Sequence, residues 1–537
     1  MVVGQIDHRE PSMALSPACT CVSCPAHRGV PAARAGRAAA APGLFAPAQD
    51  LFGSVVAWLG GPVAGALDHA GLEERLAADA RELGRLLLQA HLDLRAAHEE
   101  RRPAVTGADG AARTRAEAGH QRRLATLAGQ VTVTRIAYRA RGAANVHPAD
   151  AALSLPAGRH SHGLQRLAAI EATRGSFAAA AAAISRAAGV AAGKRQVEDL
   201  ARAAAADVED FYARGRPAPD PAPATDVLVL SADGKGIIMR PGALRPRARA
   251  AAAKSRAKLA TRLTRGEVRH RKRMAEVATV YDITPAPRTP AAIITVPGEE
   301  PPQPPAPGPA ARGKWLTASV TAEIRQVIAA MFAEAGRRDP GHTRPWVALV
   351  DGNPHQIRRI TTEAHRRNTP VTIVIDFIHV LEYLWDAAWC FHPEADPAAE
   401  AWVATHARAI LAGQASHVAA AIGHQATTTA GLSASKRATA TKTARYLDTK
   451  QPCLNYPAAL TAGWPITTGV IEGACRHLVK DRMDITGARW SLPGAEAILK
   501  LRTVISNGDF DTYWAYHLTR EHQRNHPQPQ TSYQLAA

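Results

Sequence analysis

Two short apolar runs, each closed by an Asp-Gly pair, constrain what this chain can fold into more than any other feature. Asp226 to Asp233 reads DVLVLSAD and is followed by Gly234; Trp346 to Asp351 reads WVALVD and is followed by Gly352. Runs this short and this apolar fit strands buried on both faces. An aspartate at the carboxyl end of a buried strand is held rigidly at the sheet edge, where open α/β sheets bind ligands. The glycine after it lets a ligand or another backbone approach closely. Two such carboxylates on adjacent strands can bind hard divalent cations through oxygen. Mg²⁺ suits the arrangement, because it takes one or two protein carboxylates and completes its shell with water or phosphate oxygens.

The sequence around these runs alternates between strand and helix. Gly236 to Arg240 reads as a hairpin partner of the first run, and Ala275 to Ile283 as a further strand. Pro285 to Pro309 contains ten prolines and fits only a loop or extended linker. Ala318 to Arg337 and residues 354–367 read as helices, and Val371 to Asp376 is a third apolar strand ending in Asp. Residues 377–520 read almost entirely as helix. The expected class is therefore α/β with a mixed sheet. A third carboxylate, on a helix well downstream, would complete a two-metal site. Glu472 fits best: Thr467, Thr468 and Gly469 mark a helix start, and Arg476 and Lys480 follow at one-turn intervals. The plain alternative for Glu472 is a surface Glu–Arg pair.

Charge separates the remaining function classes. The chain has 537 residues, with 65 Lys and Arg against 47 Asp and Glu, giving a net charge of +18. Residues 240–273 hold thirteen Lys and Arg against one acid, Glu267, and so supply about two thirds of that excess. A basic block beside Asp233 suits a polyanion, most often nucleic acid, better than general solubility. No apolar stretch is long enough for a transmembrane helix, and the first residues lack the apolar segment of a secretory signal. Six cysteines do not make a disulfide scaffold, so a cytoplasmic location is expected.

The N-terminal part is of a different kind. Residues 1–50 are rich in Ala, Pro and Arg without periodicity, and read as disordered. They carry Cys19, Cys21, Cys24 and His27, whose soft ligands can hold Zn²⁺ but whose spacing is tighter than a zinc-finger knuckle. A fortuitous cluster is the competing reading. Leu72, Leu76, Leu83, Leu87, Ala90 and Leu94 fall near one helical face, so 51–125 reads as an amphipathic helical region that packs on its own domain or self-associates. Gln130 to Tyr138 is strand-like. Ser176 caps a helix over Phe177 to Arg186, Gly189 breaks it, and a second helix runs from Lys194 toward Tyr212. That is the outline of a helix-turn-helix, shared by many helical hairpins.

Five blocks in order carry a family resemblance: Leu230 to Gly236 (LSADGKG), Val350 to Asn353 (VDGN), Ile375 to Tyr383 (IDFIHVLEY), Thr468 to Arg476 (TGVIEGACR), and Asp481 to Trp490 (DRMDITGARW) with Gly494 to Arg502 (GAEAILKLR). Over about residues 130–525 the chain resembles DDE-type transposases of bacterial insertion sequences, nearest the ISKra-type group, with broader similarity to Mutator-like transposases. The resemblance implies an RNase H-like catalytic domain in which the first and fourth strands are neighbours. Asp233, Asp351 and Glu472 would then be the catalytic and metal-binding triad for two Mg²⁺ (or Mn²⁺) ions. Asp376 and His379 match an Asp-x-x-His signature, and with Arg476 are given an accessory role. The long separation of Asp351 from Glu472 implies a helical insertion.

The resemblance sets the expected layout. An N-terminal segment (1–50) and a helical region (51–125) precede a helix-turn-helix-like DNA-binding region (126–215). The first part of the catalytic core spans 224–380, including the basic insert and a Pro-rich linker at 285–313. A helical insertion (381–463), the final core helices (464–525) and a tail (526–537) complete the chain. The expected DNA contacts are Lys194 and Arg195 in the second helix, Lys235, Arg262, Arg265, Arg269, Arg271, Lys272 and Arg273 in or beside the basic insert, and Lys480 and Arg489 near the third carboxylate. Relatives often carry cysteines near 130–150, where this chain has none, which counts against a complete zinc ribbon. The expected activity is metal-dependent cleavage of DNA at element ends and strand transfer into target DNA, by a homodimer or larger multimer. A DNA-binding regulator without catalysis, or an RNase H-fold nuclease without strand transfer, are the rivals.

Overall fold

The structure, a computed structural model, describes residues 43–217, 222–254, 259, 271–300, 307–485 and 487–527. Cys19, Cys21, Cys24, His27, Arg262, Arg265 and Arg269 lie outside the described residues. The chain forms two compact units, one ending near Ala149 and one running from Asp150 onward with a short piece at Ala125–Leu127. Among the described residues no helix is long and apolar enough to cross a membrane.

In the first unit, helices Ala46–Leu59 and His69–Ala97 accompany a three-stranded antiparallel sheet of Arg115–Thr126, Gly129–Ala140 and Ala143–Val146. Asp68 caps the long helix by accepting from the Gly71 N–H at 2.9 Å. The helical region expected over 51–125 thus stops at Ala97. In Gly129–Ala140, buried Val131, Val133 and Ala137 alternate with more exposed residues, the period-2 pattern that selects strand. Gln89 ties helix to sheet by trading two hydrogen bonds with the Thr132 backbone, at 2.8 and 2.9 Å.

The second unit is built on a five-stranded mixed sheet: β1 (Val227–Ile238), β2 (Lys272–Ile283), β3 (Ala311–Ser319), β4 (Trp346–Val350) and β5 (Thr372–Ile375). The order across the sheet is β5-β4-β1-β2-β3. β1 pairs antiparallel with β2, and β2 with β3; β1 pairs parallel with β4, and β4 with β5. Val227 to Leu230 and Val347 to Val350 are each at most 1% exposed, the signature of strands covered on both faces. Burying a side chain of this size contributes about 1.5–3 kcal/mol.

Three sequence expectations change here. β1 does not end at Asp233, and Gly236 to Arg240 is not its hairpin partner. The strand runs on to Ile238 because β2 pairs with it along its whole length, from Val227↔Ile283 to Ile238↔Lys272. The third strand of the antiparallel set is β3, in the stretch expected to be linker and helix start. The helix after it begins at Ile324 rather than Ala318.

Helices α3 (Ile324–Arg338) and α4 (Pro354–Arg366) connect β3 to β4 and β4 to β5, and pack on one face of the sheet. After β5 come α5 (Phe377–Phe391), three further helices ending in α6 (Ala434–Lys450), and then α7 (Gly469–Ala474) and α8 (Leu492–Ser506) on the opposite face. The same unit holds the two helices of the helix-turn-helix outline, α1 (Phe177–Ala188) and α2 (Lys194–Ala204). Ser176 caps α1 by accepting from the Ala179 N–H at 3.1 Å, and Gly189 ends it with φ +64°, a left-handed conformation glycine adopts without strain. Both helices bury one face, Ile184 on α1 and Val197 on α2, in a core shared with Ile498 and Leu501 of α8.

Candidate active site

Topology places Asp233 and Asp351 at the ends of neighbouring strands, while Glu472 is grouped with Asp376 and His379. β1 and β4 pair from Leu228↔Trp346 to Ser231↔Leu349, then part. Asp233 and Asp351 each lie two residues past the last pair, so the two half-buried carboxylates flank the fork where the strands separate. β4 stops because Gly352 turns the chain with φ +87°. A Cβ at that position would lie 2.5 Å from the Tyr446 hydroxyl of α6, so no other residue fits. β5 ends one strand further along, and Asp376 comes directly after it.

Each carboxylate is held locally. Asp233 Oδ1 accepts from the Gly234 N–H at 2.6 Å, and its Oδ2 accepts from the Cys475 thiol at 3.4 Å. Asp351 Oδ1 accepts from the Asn353 N–H at 2.8 Å. Asp376 is fully buried: Oδ1 accepts from the Ile378 N–H at 3.0 Å, capping α5, and Oδ2 takes His379 Nδ1 at 2.9 Å and the Thr468 hydroxyl at 2.6 Å. Glu472, exposed in the first turn of α7, places Oε1 3.1 Å from the same hydroxyl.

These contacts set the electrostatics. The hydrogen bond to Asp376 raises the His379 imidazole to about 9, against the effect of burial, and the charges of Asp376, Glu382 and Asp351 add to the rise. His379 is therefore a cation among carboxylates at neutral pH. Burial, chiefly, and the Asp233 carboxylate push the Cys475 thiol up, so it stays protonated and donates to Asp233. Burial and neighbouring Asp233 likewise push Glu276, across β2 from Gly234, above the usual carboxylate range.

Asp376, His379 and Glu472 each offer a ligand atom within 4.8 Å of the others, and the group can hold a metal ion once the His379 imidazole gives up a proton. Its oxygen and nitrogen donors do not single out one metal, since carboxylates suit Mg²⁺ and Mn²⁺ while imidazole also suits Zn²⁺. Asp233 and Asp351 offer oxygen only. Asp376 has both carboxylate oxygens engaged in hydrogen bonds, whereas Asp233 Oδ2 gives its single contact to a weak thiol donor.

The remaining sequence candidates are spread over the second unit. Arg476 does not pair with Glu472. The chain winds into a π-helical turn from Cys475 to Lys480, and the Arg476 guanidinium lies 3.9 Å from Asp481 instead. Lys194, Arg195, Lys235, Arg271, Lys272, Lys480 and Arg489 are exposed. Arg273 is not: its guanidinium donates to the Val320 and Ala243 carbonyls at 2.7 and 3.3 Å, and so braces the sheet. Thr468 and Cys475 lie inside a recognised sequence block, where the sequence marks Thr468 only as a helix start and gives Cys475 no role. The signal for Thr468 is its position four residues before Glu472, one helical turn away.

No protein-family model matches the chain, and no curated protein matches it.

Proposed function

We propose that this chain is a DDE-type transposase of a bacterial insertion sequence, with an RNase H-like catalytic domain, acting on double-stranded DNA. The reading is supported by the sheet itself. The first and fourth strands are adjacent, as the sequence resemblance implies, within a sheet of three antiparallel strands followed by two parallel ones. The observation that carries it is that Asp233 and Asp351 flank the fork between β1 and β4, with Cys475, directly after α7, donating to Asp233 and Glu472 lying on α7 itself.

In this reading Asp233, Asp351 and Glu472 hold the metal. Mg²⁺ or Mn²⁺ held by these carboxylates would supply activation of the attacking hydroxyl and neutralisation of charge on the leaving oxygen. The chain's own residues do the rest. Cys475 and the Gly234 N–H fix the two oxygens of Asp233, and the Asn353 N–H fixes Asp351. Thr468 couples the buried Asp376 to Glu472. Cationic His379, anchored through Nδ1, presents the other side of its ring to a phosphate. Lys194 and Arg195 at the exposed start of α2, with Arg271, Lys272, Lys480 and Arg489, grip the DNA backbone without reading sequence. Paired element ends call for a dimer or larger multimer, and a cytoplasmic, nucleoid-associated location accords with the substrate.

The test is to incubate the full chain with duplexes bearing the sequences that flank its gene. The reading predicts 3′-hydroxyl ends and joined products with Mg²⁺ or Mn²⁺, and none with EDTA. Cleavage without joining would favour a nuclease, and tight binding without cleavage a regulator.

A further inference from the structure

A cleft of about 530 Å³ opens beside Asp233 and Asp351 on the α3–α4 face of the sheet, the face away from Glu472. Its lining combines three chemistries. The first is a small apolar patch. Met274 is 45% exposed near the start of β2, next to Gly234. A Cβ at Gly234 would lie 3.0 Å from the Met274 methyl and 3.3 Å from Glu276 Oε2, so the glycine keeps the patch open.

The second is cationic. Arg245 and Arg359 line the cleft, with His355 and the first turn of the thirteen-residue α4, where backbone N–H groups favour an anion. The third is acceptor chemistry. Gln356 is 7% exposed, and its amide is fixed in orientation because Nε2 donates to the Ala232 carbonyl. Its Oε1 is buried without a hydrogen-bond partner. A buried acceptor left unsatisfied costs about 1–3 kcal/mol, which a ligand N–H would recover. Glu276 offers a second acceptor on the same wall.

A phosphate alone would use the cations and leave the patch and acceptors idle. A planar heterocycle with ring or exocyclic N–H groups, joined to a phosphate, uses all three, and the volume lies within the range of small-ligand pockets. We infer that this cleft receives one unstacked nucleotide of the DNA: its base lies on Gly234 and Met274, its N–H groups face Gln356, and its phosphate meets Arg359 and the start of α4. The inference rests on reading Asp233 and Asp351 as the site of phosphodiester chemistry. Withdrawing a base into the cleft would expose the adjoining phosphodiester to those carboxylates, at a cost of a few kcal/mol in lost stacking.

The experiment has two arms on the full chain. In EDTA, deoxyadenosine 5′-monophosphate is titrated by calorimetry against wild type, Arg359→Ala and Gly234→Val, with inorganic phosphate and deoxyadenosine as controls. The expected result is that the nucleotide binds at least tenfold tighter than either control, and that each variant weakens it about tenfold. Arg359 is exposed, so its variant remains informative if Gly234→Val fails to fold. Nucleotide binding no tighter than inorganic phosphate, or unchanged in Arg359→Ala, overturns the inference. In the second arm, a cleavable duplex carries 2-aminopurine beside the scissile bond. A fluorescence rise on binding that Arg359→Ala suppresses supports the inference. Metal-dependent cleavage with no rise overturns it and leaves the proposed function standing. Nucleotide binding by a chain that cleaves no DNA supports the pocket and removes the function.

Discussion

The Thr468 hydroxyl donates to Asp376 Oδ2 across 2.6 Å, joining the start of α7 to the end of β5. Glu472 Oε1 lies 3.1 Å from the same oxygen. A hydroxyl has one hydrogen, so it cannot satisfy two carboxylates at once. Exposed Glu472 is left open to water or to a cation. Thr468→Val removes the link while keeping the volume. We expect a roughly 10- to 100-fold loss of metal-dependent DNA cleavage, as for other groups that orient metal ligands, with a higher metal requirement. Metal titration of the cleavage rate checks it, with thermal unfolding to show that the fold is intact.

His379 gives a pH signature in the metal-free protein. Its imidazole is raised to about 9, first by the hydrogen bond to Asp376. An unperturbed histidine titrates near pH ~6.5. The charged pair therefore contributes stability that is complete below about pH 6.5 and is lost as pH rises through about 9. Proton NMR of the imidazole tests this directly. Asp376→Asn should return the midpoint to near pH ~6.5 and flatten the stability profile between the two values.

Much of the core and the acidic positions was legible because strand chemistry there is unambiguous. Trp346 to Val350 is apolar throughout, and Gly352 ends it. Ser176, Gly189 and Lys194 mark helix boundaries in the helix-turn-helix outline as read from sequence, but the second helix ends at Ala204 rather than running on toward Tyr212. β3 was hidden because Ala311 to Ser319 opens with exposed Arg312, Gly313 and Lys314 after a proline-rich stretch, and only its far half, around Trp315 and Leu316, is buried. The run of β1 beyond Asp233 was hidden for a related reason. Asp-Gly-Lys-Gly reads as a turn, and only the pairing with distant β2 keeps it extended. The link from Cys475 to Asp233 spans far-apart sequence blocks and needs the folded sheet to appear.

Buried ion pairs near the end of β2 give a stability test away from the site. Asp282 lies 2.7 Å from Arg338 and 2.6 Å from Arg344, whose side chain is 3% exposed. Asp282→Ala leaves the buried Arg344 guanidinium without a carboxylate. The expected cost is about 3–5 kcal/mol. Urea unfolding measures it, and a cost below about 1 kcal/mol, typical of exposed pairs, would contradict the assigned role.

The helix-turn-helix assignment predicts a salt effect. If Lys194 and Arg195 meet phosphates, replacing either with Ala should lower the slope of log K against log salt by about 0.9 for each phosphate no longer neutralised. Sequence preference should be unchanged, because phosphate-binding groups position the protein rather than specify bases. Fluorescence anisotropy over a salt series reads both quantities.

The most direct measurement is Mg²⁺-dependent cleavage and joining of end-sequence DNA by Asp233→Asn, Asp351→Asn and Glu472→Gln beside wild type, each checked for fold by circular dichroism. The account predicts that every one of the three falls to the background seen in EDTA while still binding DNA. Full activity in any of them would contradict the assignment of these carboxylates as the catalytic centre.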